Sequence, residues 1–433
     1  MPTAVGVFDL TSWVLFEFNF FDMIQDSIDF SPADRIGNVK EYYFSVKRKE
    51  IDAMNGEGAD VINLGIGSPD LPPSMESVTA LSESARLPDS HGYQPYTGIP
   101  ELRNGFSDFY KREYGVELDP KCEILPLMGS KEGIMHISMA FVNPGDGVLV
   151  PNPGYPTYTS VSRLVGADVH YYPLKEENGW YPDFEELERE DARGMLDLSR
   201  IKLMWCNYPN MPTGADGSEE VFRKFVEFGR KHKIIICHDN PYSFILTERP
   251  LSILSVPGAK DICIELNSMS KTFNMPGWRI GMLASNRKFV EWILRVKSNM
   301  DSGMFRPMQL AAVKALESPE EWHGTMNRIY SERKDLAVRI LEAAGADVRP
   351  GQVGLFLWGR VKDCNRCGKG NKSSGEIVCD TLLYKSHVFL TPGFIFGSEG
   401  DDYIRISLCC NVQMLGKALE RVENCGIYNK KDN

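Results

Sequence analysis

The sequence has no surplus of positive charge. Its 48 lysines and arginines are outnumbered by 59 aspartates and glutamates, for a formal net charge of −11. That balance argues against a nucleic-acid partner, which needs a basic face. A regular cysteine framework is missing too: ten cysteines are scattered over 433 residues, as expected of a large cytoplasmic enzyme that keeps its thiols reduced. No internal repeat or low-complexity tract interrupts the chain. An aromatic stretch near the start, Val14-Leu15-Phe16-Glu17-Phe18-Asn19-Phe20-Phe21, is broken by Glu17 and falls far short of membrane-spanning length. It has neither a basic flank nor a small-residue cleavage site, so it does not read as a signal peptide, and no membrane partner is expected. A hydrophobic content of 42% and a charged content of 25% are those of an ordinary globular enzyme. The length allows two domains.

What is present centres on Ser268-Met269-Ser270-Lys271-Thr272-Phe273-Asn274-Met275-Pro276-Gly277-Trp278-Arg279-Ile280-Gly281. Upstream, Asp261-Ile262-Cys263-Ile264-Glu265-Leu266 reads as a buried strand. Lys271 thus stands just past a strand's carboxyl end, where open α/β sheets place their ligands. A lysine held there among hydroxyls is able to form a Schiff base, and Arg279 with Ser268 and Ser270 is able to grip a phosphate. Taken alone, Ser-x-Ser-Lys fits a solvated lysine on a polar loop as well; the spacing through Gly277, Arg279 and Gly281 makes it more specific. Those needs are those of pyridoxal 5′-phosphate, and the stretch resembles the class I/II aminotransferases of the fold-type I pyridoxal-phosphate enzymes.

The resemblance runs from about residue 30 to 425 and assigns further residues in order. Gly67, in Gly65-Ile66-Gly67-Ser68-Pro69-Asp70, matches the family glycine beside the substrate. Tyr93, in Gly92-Tyr93-Gln94-Pro95-Tyr96-Thr97-Gly98, matches a tyrosine that reaches the phosphate of the neighbouring subunit's cofactor, implying a homodimer with shared sites. Gly129, Ser130 and Lys131 follow a strand and open a helix, where exposed N–H groups favour an anion; this is the expected phosphate cup. Tyr155 matches the aromatic residue stacked on the pyridine ring. Asp239 ends the run Lys233-Ile234-Ile235-Ile236-Cys237-His238-Asp239, where a carboxylate holds the pyridine nitrogen protonated. Tyr242 matches the donor to the cofactor's 3′ oxygen. Arg405 matches the arginine that forks onto the substrate α-carboxylate, a task suited to its planar geometry. One departure stands out: the residue before Pro212-Thr213-Gly214, an asparagine in the family, is Met211 here, with Asn210 beside it as the candidate cofactor contact.

The expected fold is α/β: a large domain with a mostly parallel central sheet and a smaller α+β domain. Residues 1–30 are read as an extension from a mis-assigned start or a disordered segment, 31–73 as an arm and part of the small domain, 74–309 as the large cofactor-binding domain and 310–433 as the rest of the small one. A long helix is expected beyond Leu310, through Leu336 and Ile340. Cys364-x-x-Cys367 lacks a second pair of ligands and reads as a solvent loop, so no metal is expected. The resemblance implies transfer of an amino group from an L-amino acid to a 2-oxo acid such as 2-oxoglutarate by ping-pong kinetics. Asn143-Pro144-Gly145-Asp146 and Asp239-Asn240-Pro241-Tyr242-Ser243 look most like the LL-diaminopimelate branch. Alanine, aspartate, methionine or aromatic donors stay open, as does a β-lyase using the same lysine. A cofactor-sensing regulator is disfavoured, because the residues ahead of Gly65 are neither basic nor patterned as a helix-turn-helix.

Overall fold

The computed structural model describes residues 30–362 and 372–426. The expectations for residues 1–22 and for Cys364-x-x-Cys367 lie outside these. Residues up to Lys40 form one unit, in which Asp34–Gly37 is a single helical turn. The remainder, from Glu41 onward, is the second unit and holds all the sheets.

Seven strands make the central sheet: β2 (Ile124–Leu127), β3 (Gly147–Asn152), β4 (Asp168–Pro173), β5 (Ile201–Asn207), β6 (Ile235–Asp239), β7 (Cys263–Ser268) and β8 (Gly281–Ala284), in the order β2-β8-β7-β6-β5-β3-β4. Only β8 runs against its neighbours; the other pairings are parallel. Their sequences explain the arrangement. In β5 every residue but Lys202 is buried, and β3 and β7 are buried throughout. Near-continuous apolar runs of this kind suit parallel strands covered on both faces. The pattern breaks at the carboxyl ends, where β3, β5, β6 and β7 close on Asn152, Asn207, Asp239 and Ser268. Four polar side chains are thereby delivered to one edge of the sheet.

The helix Glu219–His232 shows how the covering layer forms. Ser218 accepts the Val221 N–H, Glu219 and Glu220 fill the first turn, and Arg230, Lys231 and His232 fill the last. Cap and charges both match the helix dipole. Its buried face carries Val221, Phe222, Phe225, Val226 and Phe228. Truncating a phenylalanine such as Phe225 to alanine costs about 3–5 kcal/mol.

A second sheet, antiparallel, has the order β12-β13-β10-β9, formed by β9 (Ala346–Val348), β10 (Phe356–Val361), β12 (Thr391–Pro392) and β13 (Tyr403–Ser407). A short parallel pair joins β1 (Ile62–Asn63) to β11 (Val388–Phe389). The long helix expected beyond Leu310 is Glu320–Ala343, which holds Leu336 and Ile340, and a separate helix, Arg306–Leu316, precedes it. Pro319 is the cap of the long helix and lacks the N–H needed to continue the preceding one.

Candidate active site

The polar strand ends open into a cavity of about 520 Å³. Of the residues expected to act, Gly67, Ser130, Lys131, Tyr155, Asp239, Tyr242, Ser268, Ser270, Lys271, Arg279 and Arg405 all line it. Three expected residues do not. Gly129 lies behind the wall, with φ +86° and so little room that a Cβ would meet Arg279 Nη2 at 2.3 Å; only glycine suits that conformation and that approach. Asn210 is turned into its own loop: Oδ1 accepts from Thr213 Oγ1 at 2.7 Å, and Nδ2 donates to the Asn207 carbonyl at 3.1 Å. Tyr93 is 93% exposed, on a separate groove with Ser302, Gly303 and Phe305.

Lys271 sits in the short helix Met269–Thr272, and its Nζ donates to the Gly67 carbonyl. Burial lowers its pKa, and Arg405 and Arg279 push in the same direction. A lysine shifted this way has more of the neutral amine that attacks a carbonyl. Ser268 caps this helix through the Ser270 N–H at 3.2 Å. Arg279 approaches Ser270 Oγ at 3.4 Å and donates to the Pro276 carbonyl at 2.8 Å. On the other side Ser130 begins the helix Ser130–Phe141. Hydroxyls, a guanidinium and a helix N-terminus around one end of the cavity are what a phosphate requires.

Asp239 is buried, and burial raises its carboxyl to about 6, against the opposing pull of Tyr158, His238 and Ser130. Tyr158 donates to Oδ2 at 2.9 Å, while Oδ1 has no partner. An unanswered buried carboxylate oxygen in the cavity wall fits a protonated pyridine nitrogen. Arg405 is similarly poised. Its guanidinium lies 3.9 Å from the Phe356 ring centroid and 4.7 Å from that of Phe396. Nη2 donates to the Gly65 carbonyl at 2.7 Å and Nη1 to Met211 Sδ at 3.0 Å, while Nε is buried without a partner. Burial lowers its pKa to about 10, which still leaves a cation ready for an anionic ligand. Tyr242 packs edge-on to Phe356 at 6.0 Å. The residues present therefore fit pyridoxal phosphate at each of its polar ends.

Several lining residues were not singled out from the sequence: Asn207, Tyr158, Phe356, Phe396, and Tyr42 with Arg48 from the segment around helix Tyr43–Gly56. Asn207 donates to the Asp239 carbonyl at 2.7 Å and accepts the Met211 N–H at 2.8 Å, bracing both. Its place at the end of β5, like that of Asp239 in β6, was the available signal. Tyr42 lies 4.6 Å beneath Lys131 Nζ. Away from the cavity, Glu132, His136 and Asp301 converge, with the Lys297 ammonium already on Asp301.

The comparisons with known proteins agree with this geometry. Residues 59–422 match the family model for aminotransferase class I and II. An LL-diaminopimelate aminotransferase of Desulforudis audaxviator is 41% identical over 92% of this chain and 98% of its own. One from Aquifex aeolicus is 39% identical over 91% and 99%. Among solved structures, substrate-bound BacF from Bacillus subtilis has a TM-score of 0.84 at 35% identity, covering 92% of this chain and 98% of its own. Among the described residues no helix is long and apolar enough to cross a membrane. The chain belongs to the class I and II aminotransferases and is a pyridoxal-phosphate-dependent enzyme.

Proposed function

We propose that this aminotransferase takes its amino group from LL-diaminopimelate and delivers it to 2-oxoglutarate, as a cytoplasmic homodimer. The observation that carries this reading is the charge of the cavity. Lys131, Lys271, Arg279, Arg405 and Arg48 line it against one carboxylate, Asp239. Lys271, Arg279 and Arg405 have tasks at the reacting carbon, the phosphate and the α-carboxylate; Lys131 and Arg48 remain for a second carboxylate. Both proposed substrates carry one, whereas alanine and aromatic donors do not. The relatives that bear the LL-diaminopimelate name support the same choice.

Bound pyridoxal phosphate supplies an electron-poor ring that accepts the charge left when the substrate α-proton departs. The chain's own residues do the rest. Asp239 Oδ1 would hold a proton on the ring nitrogen, and Tyr242 would donate to the ring oxygen. Ser130, Ser268, Ser270 and Arg279 would anchor the phosphate, and Tyr155 would pack on the ring. Arg405 orients the substrate carboxylate while Gly67 leaves room beside it. Lys271 Nζ takes up the α-proton and returns it, which a base within hydrogen-bond reach does efficiently. We read residues 74–309 as the domain that holds the cofactor, since the seven-stranded sheet lies there. Residues 31–73 and 310–433 form the smaller domain, a reading supported by the β1–β11 pairing.

The test is a half-reaction screen in which single amino acids are added to the yellow enzyme and the visible band is followed. LL-diaminopimelate is expected to bleach it and 2-oxoglutarate to restore it. A preference for alanine or an aromatic donor, with diaminopimelate inert, would reassign the substrate. Release of pyruvate and ammonia from a β-substituted amino acid, with no oxo acid present, would favour a lyase. Borohydride reduction followed by peptide mapping is expected to place the adduct on Lys271.

A further inference from the structure

On the face of the sheet opposite the Asp239 side chain lies a buried hydrogen-bonded pair with no part in the chemistry described so far. His238 and Glu265 are register neighbours on β6 and β7, and both are wholly buried. Successive side chains of a strand point to opposite faces, so His238 faces away from the cavity that its neighbour Asp239 lines. His238 Nδ1 is 2.9 Å from Glu265 Oε2, and Nε2 is 2.9 Å from the Tyr208 carbonyl. A carbonyl only accepts, so Nε2 carries a proton.

Glu265 is surrounded by donors. Tyr110 donates to Oε1 at 2.7 Å and the Ile253 N–H to Oε2 at 3.0 Å. Ser252 Oγ accepts the Leu254 N–H at 3.1 Å and directs its own proton to Glu265, 2.9 Å from Oε2. Glu265 and His238 are thus the centre of a buried network that joins β6 and β7 to Tyr110, Tyr208 and Ser252. The other titratable groups around the pair are Tyr110 and Tyr114 from the helix Pro100–Tyr114, Cys206, Cys263 and Asp239. Burial holds those phenols and thiols in their neutral forms.

We propose that the bonds of His238 to Glu265 and to the Tyr208 carbonyl make it a positioning residue for Asp239. His238 ties the exit of β5 to β6 and β7, the three strands that present Asn207, Asp239 and Ser268. A slip of one residue between such strands would turn Asp239 away from the cavity. Buried polar pairs of this kind add little net stability, and register is their best-attested use.

The test uses the holoenzyme. Glu265→Gln is expected to lower kcat about tenfold or more while both KM values hold within about twofold. The circular dichroism of the cofactor band should change with it. If Glu265→Gln fails to fold, His238→Gln/Glu265→Gln leaves no unpaired charge and is expected to fold with the same kcat loss. Wild-type kcat and cofactor dichroism in whichever variant folds, or failure of both to fold, would reduce the pair to a purely structural element.

Discussion

Tyr158 donates its hydroxyl proton to Asp239 Oδ2 at 2.9 Å, leaving Oδ1 bare in the cavity wall. Tyr158 is itself fixed by parallel stacking on Trp205, at 5.1 Å between ring centroids. The carboxylate proposed to meet the cofactor is thus held through one of its oxygens by a residue that is itself fixed by stacking.

The first prediction concerns the cost of that carboxylate in the apoprotein. Burial raises Asp239 from 3.8 to about 6, which amounts to about 3 kcal/mol. A raised carboxyl pKa contributes stability that is complete below pH ~4 and is lost as pH rises through ~6. Apoprotein carrying Asp239→Asn is therefore expected to match the wild type near pH 4 and to exceed it by about 3 kcal/mol at pH 8. Urea titrations across that range check this, and equal stability of the two at pH 8 would refute it. The same variant should bind pyridoxal phosphate more weakly.

The second prediction tests the wall behind Arg405. A Cβ on Gly67 would meet Phe356 Cζ at 2.0 Å, and that ring lies 3.9 Å from the Arg405 guanidinium. Gly67→Ala must move the ring, an overpacking that costs about 1–3 kcal/mol. Substrate grip should suffer more than the chemical step, so KM is expected to rise about tenfold for donor and acceptor alike, with kcat less affected. Steady-state kinetics decide it; unchanged KM values would mean that the ring shift leaves Arg405 in place.

How much of this was legible in the sequence differs from residue to residue. Lys271, Ser268 and Asp239 were readable because the signal is local: an apolar strand that ends on a polar residue at the sheet's carboxyl edge. Asn207 obeys the same rule, at the end of β5. Arg405 was placed by resemblance alone, since nothing local distinguishes an arginine between Ile404 and Ile406. The contacts of Tyr158 with Asp239 and of Tyr110 with Glu265 span 81 and 155 residues. Pairings at that range come from tertiary packing and leave no periodicity to read.

The third prediction concerns Tyr93, whose ring is 93% exposed and stands apart from the cavity. In a homodimer it would serve the partner's site. Mixed Tyr93→Phe and Lys271→Ala chains then give heterodimers with one site free of both lesions and one carrying both. With equal mixing, half the dimers are mixed, so activity from intact sites is expected at roughly a quarter of the wild type. The absence of any gain over the unmixed variants, with chain exchange confirmed by mass spectrometry, would assign Tyr93 to its own subunit or to none.

The last prediction turns on Met211, which stands where the family places asparagine. Its sulfur takes a hydrogen bond from Arg405 Nη1 at 3.0 Å, and a thioether donates nothing in return. Asn210 does not line the cavity, its side chain being turned to Thr213 and to the Asn207 carbonyl. On the proposed assignment, Tyr242 would carry the hydrogen bonding to the cofactor's ring oxygen alone. Negative charge on that oxygen is greatest when the link between Lys271 and the cofactor is deprotonated, so an added donor favours the deprotonated form. Met211→Asn supplies such a donor, and its carbonyl oxygen can accept from Arg405 in place of the sulfur. The pH midpoint of the visible band is accordingly expected to be lower in Met211→Asn than in the wild type, by about one pH unit. Spectrophotometric titration of both proteins at equal cofactor occupancy measures the difference. An unchanged midpoint would leave Met211 as a packing residue beneath Arg405, with no influence on the cofactor's charge.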